Sequence, residues 1–581
     1  MNKVFQILLV PVTLMAGGCQ TDPLALTPSG EDNTSSGSSS DTYVATYVQD
    51  DAGDDISQTS FDRTITVTFS ASGATVSGDA NGIVKISGND VTADNSSFDE
   101  KVHYILKGSA SDGFFKLYGA NKQALTLDGL NLTNKRGAAI NNQSKKRTFV
   151  VLKGSNQLAD GASYTLTPSG EDEKAALFSE GQLVFSGDGS LSVTATGKAG
   201  ITSDDYVRLL GGQTVTVKSS AGHGVRGQDA VVVDAGTLSV TVSAAGKKGI
   251  STDGEAIFNG GKTTLTVSGG VDTSDSSDLS GSAGVKADGV FTMNDGTLTV
   301  TNSGQGGKGL SGDRQAYFYG GTVSISVSGS NYGSSSGGMG GPGGMGGFGG
   351  WGGSNSSSDN SVAAKAIKFD GDVLFAGSTV KAVAKSHEAI ESKGTLEISD
   401  GFVYAQSTDD AINAASHLTV SGGYVCAYST GNDGLDANGD MYIKGGVIYA
   451  TCSGGAEVSL DANTEGGRKL YVSGGTLFCI GSLENGAQLT QTCYSASSWS
   501  KNTWYSLTVG DETYAFKTPA SGGTGLVVSA KSKPELKSGV NVSGGTQILE
   551  GMAVIGPSVS GGSSVSLSTY SGGGGGMGGR W

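Results

Sequence analysis

Three residue pairs recur at a near-constant interval and carry much of the chain's ionisable chemistry: His387-Glu388, Asp409-Asp410 and Asn432-Asp433. Each stands just before a Gly or Ala and an apolar residue. Glu391, Asn413, Asp436 and Asp461 follow one place after that apolar residue or its equivalent. Carboxylates brought within a few ångströms of one another repel unless protons or a cation intervene. Clustered hard oxygen ligands suit Ca2+, which takes about six to eight of them at about 2.3–2.6 Å. Glu388, Glu391, Asp409, Asp410, Asp433, Asp436 and Asp461 are therefore candidate calcium ligands. The alternative is turn chemistry, since Asp and Asn also hydrogen-bond their own backbone.

The same column is basic earlier in the chain, with Lys198, Lys247, Lys248, Lys308 and Lys365, and His223 among them. A flank running from basic to acidic suits an acidic glycan. Lys248, Lys308 and Lys365 would meet uronate carboxylates directly, and Ca2+ would bridge them elsewhere. Solvated lysines at turns are the plain alternative. A second acidic column, Asp204, Asp253, Asp288, Asp313 and Asp370, reads as turn residues, several of them before Gly.

A stack of short turns must position these residues. The apolar anchors Ile367, Ile390, Ile412 and Leu435 come every 22 or 23 residues. Earlier anchors are Ile140, Leu177, Ile201, Val225, Ile250, Val285 and Leu310. A second signature follows each late anchor: Ala376-Gly377, Asp400-Gly401, Gly422-Gly423 and Gly445-Gly446, then a short alternating run. A fixed period with short strands signals a solenoid, in which one turn cannot bury its own apolar face but stacked turns can. The expected fold is an all-β parallel helix, with like residues stacked at about 4.8 Å. Alternation places Val403, Val425, Ile448 and Leu477 inside. Phe402, Tyr404, Tyr424, Tyr428, Tyr449 and Phe478 then point outward. That patch either stacks on sugar, with Tyr404, Tyr428 and Tyr449 as candidates, or seats the aromatic C-terminal segment.

Bulk composition agrees. The chain has 581 residues with 97 Gly and 8 Pro, yet alternating Val, Ile, Leu and Thr argue for strands and tight turns rather than low complexity. A net charge of −16 disfavours nucleic acid, whose phosphates need a basic field. Cys426, Cys452, Cys479 and Cys493 match no zinc spacing and read as packed thiols, a disulfide remaining open.

Residues 1–18 read as a signal peptide, with Lys3 before an apolar run and small residues before Cys19. Ala16-Gly17-Gly18-Cys19 resembles a bacterial lipobox, which implies lipidation at Cys19. A lipid would be the sole membrane anchor, at the outer membrane or cell surface. Residues 19–60 read as a disordered tether, 61–485 as the β-helix, 330–361 as a Gly-rich mobile insertion, 486–570 as a C-terminal cap or small β module, and 571–581 as a disordered tail. Strand-like residues from Phe61 to Leu117 would form the first coils or a cap over the open edge. The expected state is a monomer.

Val102-His103-Tyr104-Ile105-Leu106-Lys107-Gly108, Ala124 to Leu132, Gly137-Ala138-Ala139-Ile140 and Gly154 to Gly161 together resemble the opening of bacterial carbohydrate-binding parallel β-helix proteins. The type member of that family binds cellulose and polygalacturonate and is related to family-nine pectate lyases. The resemblance implies a right-handed parallel β-helix, calcium sites and polysaccharide binding without catalysis. The family usually has an acid before the Gly-Ile anchor, where this chain has Lys248 and Lys308. Three functions stay open: a non-catalytic polysaccharide-binding lipoprotein, which is favoured; a calcium-dependent pectate lyase using Lys365, Lys368 or Lys393 as base; and a structural adhesin or stalk.

Overall fold

The computed structural model describes residues 49–165, 167–333, 361–496 and 498–572. The segments read as signal peptide, lipidated Cys19, most of the tether, most of the 330–361 insertion and most of the tail lie outside the described residues.

The anchors stack as their spacing requires. Ile140, Leu177, Ile201, Val225 and Ile250 are successive partners across parallel strands. Val285, Leu310, Ile367, Ile390, Ile412, Leu435 and Leu460 continue the ladder. They belong to a 15-stranded sheet, called here the anchor sheet. The remaining two strands of each turn join a 30-stranded sheet. The long strands Val373–Ala384 and Leu396–Ser407 bend from one of these faces to the other through a register shift near Ala376.

Period-two alternation explains the core. In Thr237–Val242, Leu238, Val240 and Val242 are buried while Thr and Ser face out. A ladder of Phe258, Phe291, Phe318 and Phe375 fills the interior, with successive ring centroids 5.7, 5.3 and 4.7 Å apart. Each such side chain contributes about 1.5–3 kcal/mol by burial. The small residue before each anchor also points inward. A Cβ on Gly309 would lie 2.2 Å from Ile325 Cγ2. This local bend puts the residue two before the anchor on the same outer face as the residue one after it.

Insertions leave the stack at one place. Asp272 pairs with Ser280, and Tyr332 pairs with Val362, each as an isolated antiparallel bridge at the root of an excursion. At the N-terminal end, Arg63–Phe69 pairs in parallel with Val102–Ala110, and Thr75–Ser77 covers its edge in antiparallel fashion. At the other end, Leu526–Ser529 runs antiparallel to Thr476–Ile480. Beyond it, residues 504–564 build a six-stranded antiparallel sheet.

The tether boundary at residue 60 needs correcting, because residues 49–60 are packed. Asp51–Asp54 forms one helical turn, and the buried Asp54 carboxylate meets Arg147, Tyr206 and Arg208. Ile56 and Phe61 pack beside Phe149, Val184 and Val232. The aspartates of the segment read as a tether are what Arg147 and the buried Arg208 bind.

Candidate functional site

The outer face of the anchor sheet carries the expected gradient of charge, but its cations and anions meet at the junction. Lys308 and Lys365 are ladder partners. Lys365 Nζ lies 3.1 Å from Glu388 Oε2 and 2.5 Å from Glu391 Oε2. Lys393 holds the other Glu391 oxygen at 2.5 Å. Burial alone would raise the Glu391 pKa, yet Lys365 and Lys393 together bring it below the usual range. Glu391 is thus removed from the calcium set, and Lys365 is no longer a free contact for uronate.

His387 sits between Asp409 and Glu388, its Nδ1 2.9 Å from Asp409 Oδ2. Hydrogen bonds to those two carboxylates raise its pKa to about 9. The ligand atoms of the three residues lie within 4.8 Å of one another, a grouping compatible with a metal in the absence of the imidazole proton. With the proton present, the imidazolium is the counter-charge. Its contact in turn lowers the Asp409 pKa. Glu388 and Asp409 are therefore served by protein cations.

One rung further the cations end. Asp410 Oδ1 accepts the Asp433 N–H at 3.1 Å, and Asp433 Oδ1 accepts the Val458 N–H. The Asn413 amide donates to Asp436 Oδ2 and, at 3.5 Å, to Asp410 Oδ2. Asp436 and Asp461 are ladder partners. Among the described residues, no Lys, Arg or His pairs with these four acids. Burial first, then the neighbouring carboxylate of Asp436, raises the Asp410 pKa to about 7. Burial raises Asp436 to about 6. Asp433 is raised by burial and by Asp410 and Glu457. Asp461 is raised by burial and by a carboxyl–carboxylate hydrogen bond with Glu484. The donor type, four carboxylates, is the one Ca2+ takes, but among the described residues no three of these acids bring ligand oxygens within 4.8 Å of one another, so an ion would have to draw them together. Of the expected ligands, Asp410, Asp433, Asp436 and Asp461 are the ones left without a protein cation among the described residues.

The lysine column is half-buried. Lys248 Nζ donates to Gly246 O and Ser280 Oγ, at 2.6 and 2.7 Å. Burial lowers its pKa to about 8. Burial, with Lys368 and Lys365 nearby, lowers Lys308 to about 8 as well. The second acidic column is more than turn chemistry. Asp253 pairs with Arg226, Asp288 and Asp313 with Lys286, and Asp370 with Lys368. Arg226 and Lys286, each one residue after an anchor, were missed because single residues gave no column signal, and Lys368, considered above as a base, is ion-paired in the same way.

The sugar-stacking aromatics are corrected too. Tyr449 is fully buried and donates its hydroxyl to Lys517 O at 2.8 Å. Tyr404 and Tyr428 pack with it, Phe478, Tyr505 and Phe516 in a core shared with the C-terminal sheet. The outward patch seats that sheet, because its own aromatics need an apolar partner.

A family model for a carbohydrate-binding domain-containing protein matches residues 87–429. A carbohydrate-binding domain-containing protein of Acetivibrio thermocellus is 29% identical over 157 residues, which cover 24% of this chain. The chain spans about half of that relative's length, 54% of it. A solved structure of a polysaccharide lyase-like protein from C. thermocellum, a gadolinium derivative, shares 19% identity, with a TM-score of 0.31. That match covers 46% of this chain and 92% of the other. The family match includes the anchor sheet through the Asp410 rung. It takes in more than half of the residues, and the chain belongs to the family of carbohydrate-binding domain-containing proteins.

Proposed function

We propose that this protein binds an acidic polysaccharide on the outer face of its anchor sheet, with Ca2+ held by Asp410, Asp433, Asp436 and Asp461. The observation that carries this reading is a set of four buried or half-buried carboxylates, all with raised pKa values and no protein cation beside them. The ion would supply positive charge shared between these carboxylates and a uronate. Lys248 and Lys308 would add direct contacts on the same face. Family membership supports polysaccharide as the ligand class. The chain would be held at the cell surface by lipid at Cys19, for which loss of palmitate labelling in Cys19→Ala is the check.

Spacing favours binding over elimination. An eliminating enzyme needs a base and a carboxylate-neutralising charge at one sugar ring. Lys308 is three rungs from Asp410, about 14 Å at the strand separation. Lys365 and Lys393 stand closer but are ion-paired to glutamates.

Native gels cast with polygalacturonate test the proposal. Retardation is expected with Ca2+ and lost with EDTA, and Lys248→Gln with Lys308→Gln should weaken it about three- to tenfold. Absorbance from unsaturated uronides should stay flat in the same mixtures. Equal migration with and without polymer would defeat the binding reading, and rising absorbance would replace it with a lyase.

A further inference from the structure

The seam between the solenoid and the C-terminal sheet contains two clefts of about 430 Å³ each. That is within the range of small-ligand sites, about 300–1,000 Å³. One stacked ring pair divides them. Phe402 and Tyr424 have centroids 4.6 Å apart and planes within 8°. Phe402 is 38% exposed, one of the few large apolar side chains left open to solvent.

Ladder order gives the pair two usable faces. Thr379, Phe402, Tyr424 and Val447 are successive partners. The outer face of each ring therefore looks along the solenoid toward a shorter residue, into one cleft or the other. Thr379 and Phe402 line one cleft with Lys381, Gln547 and Glu550. Tyr424 and Val447 line the other with Asp400, Gln491, Glu512 and Lys531.

Polar groups in the clefts are placed to accept from hydroxyls. Asp400 Oδ1 takes the Gly401 N–H at 2.7 Å, leaving Oδ2 for a ligand. Gln491 Nε2 donates to Gly475 O and Ser529 Oγ, at 2.7 and 2.9 Å. Those bonds fix its amide and leave Oε1 as an acceptor. Glu550 faces Lys381 from a left-handed backbone, φ +56°, next to Leu549 at φ +55°. Non-glycine residues held this way cost conformational energy and recur at ligand clamps. Lys381 offsets Glu550 in one cleft, whereas Lys531 offsets only one of Asp400 and Glu512 in the other. The seam is neutral to negative and would repel a uronate.

We infer that this seam is a second glycan site, selective for an uncharged pyranose chain and independent of the cation column. Sugar C–H faces would lie on Phe402 and Tyr424, and ring hydroxyls would donate to Asp400 and Gln491. Failure of the acidic-glycan reading would leave this site untouched, since the two share no residue.

Calorimetry on the full chain in EDTA tests it, with cellohexaose, xylohexaose and hexagalacturonate as probes. At least one neutral hexasaccharide should bind and hexagalacturonate should not. Phe402→Ala should weaken neutral binding at least about tenfold, as loss of a central aromatic anchor does. Asp400→Ala, at the exposed register shift within Leu396–Ser407, is a second variant that spares the packing and should weaken it several-fold. No heat with either neutral probe would overturn the assignment. So would wild-type affinity in both seam variants, or hexagalacturonate binding that Phe402→Ala removes.

Discussion

Replacing Lys365 with Met is expected to destabilise the middle of the solenoid by about 3–5 kcal/mol, the usual cost of removing one member of a buried ion cluster. Lys365, Glu388 and Glu391 are 7%, 8% and 2% exposed. Met fills much of the lysine volume, so the loss is one of charge rather than packing. Two carboxylates would remain, with Lys393 on Glu391 and His387 on Glu388. Because a solenoid unfolds in sections, hydrogen exchange in Lys365–Phe369 and Ile390–Ser392 is the sharper readout. Adding Glu391→Gln should restore part of the loss. So should lowering pH toward 5, because burial raises the Glu391 pKa once the opposing Lys365 is gone, and protonation then relieves the uncompensated charge. Wild-type exchange rates in those strands at pH 8 would show that the cluster contributes nothing.

The second large effect is expected from Asp54→Ala. Its buried carboxylate lies 2.8 Å from Arg147 Nε and 2.8 Å from Arg208 Nη1, and it accepts from Tyr206 Oη at 2.5 Å. Removal leaves the buried Arg208 with Asp234 and the exposed Asp51. The strap formed by residues 49–61 has few other holds: the exposed Asp50 and Asp51 on Arg147 and Arg208, and Ile56 and Phe61 on the Phe149 face. Local release is therefore favoured over global unfolding. A loss of about 3 kcal/mol should speed protease cleavage within residues 49–61 by about a hundredfold while the solenoid's melting changes little. Unchanged cleavage would mean that the apolar contacts and the Asp50 and Asp51 pairs hold the strap without Asp54.

These two clusters also mark where sequence reading stops. The anchor ladder was legible because inward positions repeat at the turn period and small residues must precede each anchor. The outward aromatics were legible for the same reason. Their use was not, since Tyr404, Tyr428 and Tyr449 look alike whether they meet sugar or a covering sheet. Column reading placed Glu388, Glu391 and Asp409 correctly on one face with Asp410, Asp433 and Asp436. It could not foresee that Lys365, Lys393 and His387 reach across rungs to neutralise the first three. The strap was invisible because its partners lie about 150 residues away. Nothing local in an Asp- and Ser-rich segment records the buried Arg208 and the half-buried Arg147 elsewhere.

The central claim is that the Asp410–Asp461 carboxylates are crowded enough to need protons or a cation. Thermal unfolding from pH 6.5 to 8, in EDTA and in millimolar Ca2+, tests it most directly. The folded pKa values of these acids are raised, so the native state holds protons that the unfolded chain has already lost. Stability should then fall as pH rises through this window. His387, raised to about 9, adds to the same slope, so Asp410→Asn with Asp433→Asn is needed to assign it. His223, lowered to about 3, and Lys248 and Lys308, lowered to about 8, oppose the slope at the lower and upper ends of the window, because there the unfolded chain binds more of their protons than the native state, so the comparison with the double Asn variant carries the assignment. The prediction is a melting temperature that falls with pH in EDTA, falls less in the double Asn variant, and is raised by Ca2+ more at pH 8 than at pH 6.5. A flat profile that ignores both Ca2+ and the variant would contradict the account.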